Sequence, residues 1–233
     1  MIAVFKRELK SYFTTPVGFI ILAAFYFFLG LYFSMIYSYG SPDVPYVMNV
    51  MYSITIFATP IITMRLLSED RRQKVDQVLF TSPVTITGVV MGKFLAALAL
   101  YAIAFAPTLI FEIIIASYVS VNILAYLYSL LGALLLGATL ISIGMFVSSL
   151  TESSTLSAIL SLVINIVVLY MGNFASMAQS GVVTKIFESI AFLNVFENFS
   201  TEIFSIPDVI YFLSITAAFI FLSVRSLEKR RWA

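Results

Sequence analysis

Cysteine and histidine are both absent from the 233 residues, and tryptophan occurs once. Their absence removes disulfides, thiolate nucleophiles, the usual zinc ligands and histidine general bases. Charge is scarce too: 11% of residues are charged against 61% hydrophobic, with a net charge of +1. So small a basic excess excludes a nucleic-acid binder. So little polar surface cannot cover a soluble core, and a mean hydropathy of +1.03 lies far outside soluble usage. The chain is expected to be an integral membrane protein. Phosphate-loop, zinc-protease and nucleophile-elbow motifs are missing as well. Glu112 is the one carboxylate well inside an apolar run, so no pair of acids can face each other in the membrane. No catalytic, cofactor-binding or metal-ligating residue is expected, and an enzyme is not.

What is present is a series of long apolar runs. Roughly 20 helical residues cross a hydrocarbon core of about 30 Å. Six stretches qualify, at 17–37, 46–66, 94–117, 123–149, 155–174 and 207–226. Lipid offers no partners to backbone N–H and C=O groups, so each must be helical. The expected fold is all-α: one membrane domain over 1–233 with six transmembrane helices and no soluble domain. Twelve of the thirteen Lys and Arg residues fall before the first span, after the second or after the sixth, and Lys185 alone falls elsewhere. The opposite side carries Asp43, Glu188, Glu197, Glu202 and Asp208. That asymmetry puts both termini in the cytoplasm of a multi-pass protein of the cell (inner) membrane.

Within residues 1–15, Phe5, Leu9, Tyr12 and Phe13 recur at helical spacing beside Lys6, Arg7, Glu8 and Lys10. This is the pattern of an amphipathic helix lying in the cytoplasmic interface, the alternative being a basic tail that only sets topology. Thr15 and Pro16 suit the cap and first turn of the next helix. Between spans five and six, Ile186, Ile190, Phe192, Leu193, Phe196 and Phe199 alternate with Glu188, Asn194, Glu197 and Asn198. Short extracytoplasmic helices packed on the outer surface are expected there. Gly88/Gly92, Ala133/Gly137 and Gly144/Ser148 are small pairs that allow close helix approach. Glu112 is either a structural polar contact or a pathway-lining residue, and Asn165 in span five is equally open. Pro107 is expected to kink the helix that carries Glu112.

Residues Arg65 to Phe94 gather eight of the chain's charges, of both signs, between two apolar runs. Topology explains lysine and arginine there but not the acids. The stretch carries an arginine leaving span two, then Glu69-Asp70-Arg71-Arg72, Thr81-Ser82-Pro83 and Gly92-Lys93-Phe94 opening span three. In this it resembles the second-to-third-span segment of type-2 ABC transporter permeases. The start "FKRELKSYFTTPVGFI", the turn "SSLTESSTLSAIL" and the end "DVIYFLSITAAFIFLSVRSLEKRRW" are also similar to that family, closest to its gliding-motility and nitrous-oxide-reductase-maturation branches. One departure stands out. Where the family has glycine-threonine-glutamate, with an optional residue before the glutamate, this chain has Lys74-Val75-Asp76-Gln77, with Asp76 standing in for the glutamate. Without the glycine, the helix is expected to run on with less of a bend.

The resemblance implies a permease subunit that docks a separate ABC ATPase, which binds ATP and Mg, while this chain binds no cofactor. It implies a cytoplasmic coupling helix in which Val75, Val78, Leu79 and Phe80 supply buried contacts. Glu69, Asp70, Arg71, Arg72, Lys74 and Asp76 would supply the polar ones. Partners would be that ATPase, a second permease copy or paralogue, the lipid membrane and a large extracytoplasmic-domain subunit. The function implied is ATP-driven export or envelope mechanical work. The competing reading is a non-transporting anchor of a motility or envelope complex. An ion-coupled carrier is disfavoured, since Glu112 has no second acid opposite it.

Overall fold

The computed structural model describes residues 1–39, 44–74, 85–117, 123–171, 192, 195–196, 199 and 205–231. Among them every regular element is a helix. They are α1 (Ile2–Thr14), α2 (Pro16–Tyr39), α3 (Val44–Thr63), α4 (Ser68–Arg72), α5 (Ile86–Ala116), α6 (Ile123–Leu150), α7 (Ser154–Leu169) and α8 (Ile206–Arg231). Four of these, α2, α5, α6 and α8, are long and apolar enough to cross a membrane. The expected runs over 46–66 and 155–174 correspond to α3, of 20 residues, and α7, of 16. Large apolar side chains cover the outside: Phe27, Phe57, Ile110, Ile113 and Ile210 are all more than half exposed. That surface suits hydrocarbon as the solvent.

The inside is apolar as well, with short polar side chains set at its seams. Helix α6 is the central column, with 72% of its apolar window buried against 17–44% for the other three long spans. It packs on α3, α5, α7 and α8. Gly137 lets this happen on the α5 side, where a Cβ would run into the ring of Tyr101. The Tyr101 hydroxyl donates to the Ala133 carbonyl at 3.1 Å and lies 2.8 Å from Thr55 Oγ1, joining α3, α5 and α6 at one fully buried point. On another face of α6, Gly144 meets Thr63 of α3. Helix α7 turns Ser157, Ser161, Asn165 and Leu169 inward as one stripe. Asn165 Nδ2 donates to Thr59 Oγ1 of α3 at 2.9 Å, and Thr59 in turn donates to the Thr55 carbonyl. With no water in the hydrocarbon, short polar side chains are steered to helix–helix seams where partners exist.

The structure alters several sequence expectations. Helix α5 starts at Ile86, where Thr85 Oγ1 accepts from the Gly88 amide at 3.2 Å. Gly92-Lys93-Phe94 therefore lies nearly two turns inside the helix and does not open it. Gly92 faces α1 instead of another span, its Cα approaching the Met1 carbonyl and Val4. Thr15 does not cap α2; its hydroxyl turns back to the Ser11 carbonyl at 2.9 Å. Pro107 lies within α5, as expected. Residues of the expected interfacial helix do form a helix, α1, and its apolar side is seated on the bundle. Val4 is buried, Phe5 lines an apolar recess together with Leu95, Leu98 and Ala102, and Phe13 packs edge-on against Phe19. Of the expected outer helices, Ile186, Ile190 and Leu193 lie outside the described residues. Phe192, Phe196 and Phe199 are buried against Tyr52 and Phe212.

Tyr101→Phe is expected to lower stability by about 1–2 kcal/mol, because it removes a buried donor shared by three helices. Gly137→Leu should cost more, since the Tyr101 ring cannot withdraw. Thermal unfolding of the purified membrane protein, followed for both variants, checks the order.

Candidate functional site

The charged end of the bundle is organised around Lys93. Its side chain is 2% exposed, and each ammonium proton has an acceptor. Nζ donates to the Leu66 carbonyl at 2.6 Å and lies 2.8 Å from Asp70 Oδ2 and 3.2 Å from Glu8 Oε1. Arg7 Nη2 holds the same Glu8 oxygen at 2.7 Å. One buried cation thus ties α1, the end of α3, α4 and α5 together. Burial pushes the Asp70 carboxyl above its usual range; Lys93 pulls it down, and Glu8 adds to the push. Close by, the Tyr12 hydroxyl donates to the Ile62 carbonyl at 2.9 Å. Burial, reinforced by Glu8, raises the Tyr12 phenol far above its ordinary value, so it stays a neutral donor.

Helix α4 is fastened on its other side to the α6–α7 turn. The amides of Leu67 and Ser68 both donate to Ser148 Oγ, at 3.2 and 3.0 Å, and that hydroxyl donates to the Met64 carbonyl. Ser68 Oγ also lies 3.2 Å from Ser154 Oγ. Arg71 donates to the Leu150 carbonyl at 3.0 Å and pairs with Glu152 at 2.7 Å. Arg230 of α8 reaches the Ser149 carbonyl of the same turn. A displacement of α4 would therefore be felt by α1 and α5 on one side and by α6 and α7 on the other.

The helix does not run on. It ends at Arg72, and Lys74 adopts φ 57°, the left-handed conformation that glycine accepts without penalty. Lys74 is the position where the resembled family places its glycine. The bend is made without the glycine, because the Gln73 and Lys74 amides close back onto the Glu69 and Arg71 carbonyls.

The sequence profile of the family described as ABC-2 family transporter protein matches residues 2–231. The chain belongs to the ABC-2 transporter family. None of the curated proteins compared with it matches. As an ABC-2 permease it is a multi-pass membrane protein, the transport component of an ABC transporter and not itself the ATPase, and the family implies an ABC ATPase partner.

Of the coupling-helix residues expected in this permease, Glu69, Asp70, Arg71, Arg72 and Lys74 are brought to the charged end. Val75, Asp76, Val78, Leu79 and Phe80 lie outside the described residues. Glu69 accepts from Gln73 Nε2 at 3.0 Å and lies 3.7 Å from Arg72. Glu112 and Asn165 are elsewhere. Asn165 is held in the α3–α7 seam described above. Glu112 continues the buried face of α5 after Phe105 and Thr108, and its Oε1 is buried without a hydrogen bond. Sequence reasoning passed over Lys93 and Glu8 as site residues. Reading α5 from Thr85, a threonine N-cap after Pro83, would have shown Lys93 inside the helix. Nothing in the spacing of residues 1–15 pairs Glu8 with it.

Lys93→Met is expected to destabilise the protein by about 3–5 kcal/mol, because two half-buried acids lose their cation. Thermal unfolding reads the loss, and the added variant Glu8→Gln should recover part of it. Asp70 holds its proton to a higher pH folded than unfolded, so stability should decline as pH rises above about 4 through its raised value. That slope is expected to be flatter in Asp70→Asn when unfolding is measured from pH 4 to pH 8. Lys74→Gly should raise stability by about 1 kcal/mol by relieving the left-handed backbone, measured in the same way.

Proposed function

We propose that this permease crosses the membrane six times with both termini cytoplasmic, and that its segment from Ser68 to Phe80 receives the stroke of the ATPase. The observation that carries this reading is the double fastening of α4. It is held to α1 and α5 by Lys93 and to the α6–α7 turn by Arg71 and Ser148. A segment whose only task was to set topology needs lysine and arginine, not acids placed to bind them across helices. The basic residues gathered at this end support its assignment to the cytoplasmic side. In this reading α3 and α7 complete the six spans, two such subunits or paralogues enclose the path, and ATP and Mg belong to the partner alone. Nucleotide-driven closure of the ATPases would press on this segment. The motion would reach the spans as a rigid displacement, because the contacts on both sides of α4 are short and charge-assisted.

The test uses the complete complex purified from its native host. An ABC ATPase should co-purify, and its hydrolysis should be stimulated by the permease. Arg71→Ala, which releases α4 from Glu152 and Leu150, is expected to insert normally and cut that stimulation about tenfold. Asp76→Ala should act in the same direction. Full stimulation in both variants, or a chain that purifies without any ATPase, would remove the coupling role. A phenotype indifferent to a hydrolysis-dead ATPase would favour a scaffold.

A further inference from the structure

A polar cavity of about 340 Å³ opens at the charged end between α1, the first residue turns of α2, and the α3–α4 junction. Six charged side chains line it, and most of that charge is already compensated. Arg7 and Lys93 neutralise Glu8 and Asp70. Glu69 accepts from Gln73 and lies beside Arg72. Arg65 is left over: it is exposed and, among the described residues, takes part in no ion pair. The lining balances at three bases and three acids, and Arg65 is its one cation without an ion pair among the described residues; the Ser11 and Thr15 side chains also line it.

A second, apolar cavity of about 370 Å³ lies between α2 and α3, open along the rims of Phe28, Phe57 and Ile61. The two are in line. Val17 lines the polar cavity and Ile21, one turn further into the membrane, lines the apolar groove. On the α3 side, Arg65 and Leu66 line the first and Ile61, about one turn earlier, lines the second. An unpaired guanidinium at the membrane boundary, leading into a furrow of aliphatic and aromatic side chains, has the outline of an amphiphile with an anionic head. Basic pockets between spans on the cytoplasmic side are suited to lipid head groups.

We infer that this is a binding site for a phospholipid, its phosphate on Arg65 and one acyl chain lying in the groove between α2 and α3. The site accounts for the uncompensated guanidinium, which pairs bidentately with phosphate oxygens. It also accounts for the exposed aromatic rims, which a chain would cover. It holds whichever substrate the transporter moves.

The experiment takes the permease with its ATPase partner from detergent into native mass spectrometry, with dioleoyl-phosphatidylglycerol added in steps. One lipid should remain on the complex at concentrations that strip the rest. Arg65→Gln should weaken its retention about fivefold, the effect of one basic contact near the surface. Ile61→Trp, which fills the groove from its half-exposed rim, should weaken it with Arg65 intact. A photoactivatable acyl chain should label the stretches 21–28 and 54–61, and lose that labelling in Arg65→Gln. The labelling of the unaltered chain needs neither variant. The proposal fails if retention is equal in all three proteins. It fails as a lipid site if inorganic phosphate displaces the ligand while Ile61→Trp has no effect, which would indicate a free anion. It fails equally if Phe57→Cys, in this cysteine-free chain, cross-links to a second copy in the membrane, since the groove would then be covered by protein.

Discussion

A lysine ammonium taken out of water must be met by acceptors from the protein, and the charged end of this permease is built to meet that demand. Lys93 lies inside α5 with nowhere to extend, so the Leu66 carbonyl, Asp70 and Glu8 have to come to it. That requirement sets the position of α1 along α5, where Gly92 provides the room for Val4. It also brings the chain leaving α3 back across the start of α5 and orients α4. Once α4 is placed, Ser68 and Arg71 are within reach of the α6–α7 turn, and α8 is drawn in through Arg230. Seven helices thus share one ionic and hydrogen-bonded end organised around a single buried charge.

Deeper in the bundle a different constraint acts. Hydrocarbon outside and protein inside are equally apolar, so burial of leucine or phenylalanine gives little preference for one helix pairing over another. Specificity comes from the few polar side chains and from the shape of the seams. Tyr101 in the recess at Gly137, the Thr55–Thr59–Thr63 ladder of α3 and Asn165 of α7 supply it. The connection from the charged end to these seams is direct. Thr63 precedes the turn into α4, and Gly144, which receives it, is one turn from Ser148. A bundle held by lipid-facing leucines alone would slip.

Much of this was legible in the chain. Composition alone required a membrane protein, and hydropathy located the apolar runs. The mixed charges of Arg65 to Phe94 marked the charged end of the bundle, and α1 was readable from the spacing of Phe5, Leu9, Tyr12 and Phe13. Lys93 was misread because hydropathy places a helix boundary where charge appears. The actual start of α5 is set by the Thr85 cap two turns earlier, and the lysine is neutralised by residues distant in sequence. The bend after α4 was misread for a related reason. A missing glycine raises the cost of a left-handed residue by only about 1–2 kcal/mol, and the amide closures at Gln73 and Lys74 hold the turn all the same.

By itself, then, the sequence determined the solvent, the secondary structure and the family. These depend on sums over many residues, such as total hydropathy, charge asymmetry and the order of motifs, and no single contact can overturn them. Which carboxylates would neutralise Lys93, which face of α7 would turn inward and which cation would be left over at Arg65 were decided only in three dimensions. Each depends on pairs of side chains tens of residues apart, and a pairing of that kind leaves no periodic trace along the chain.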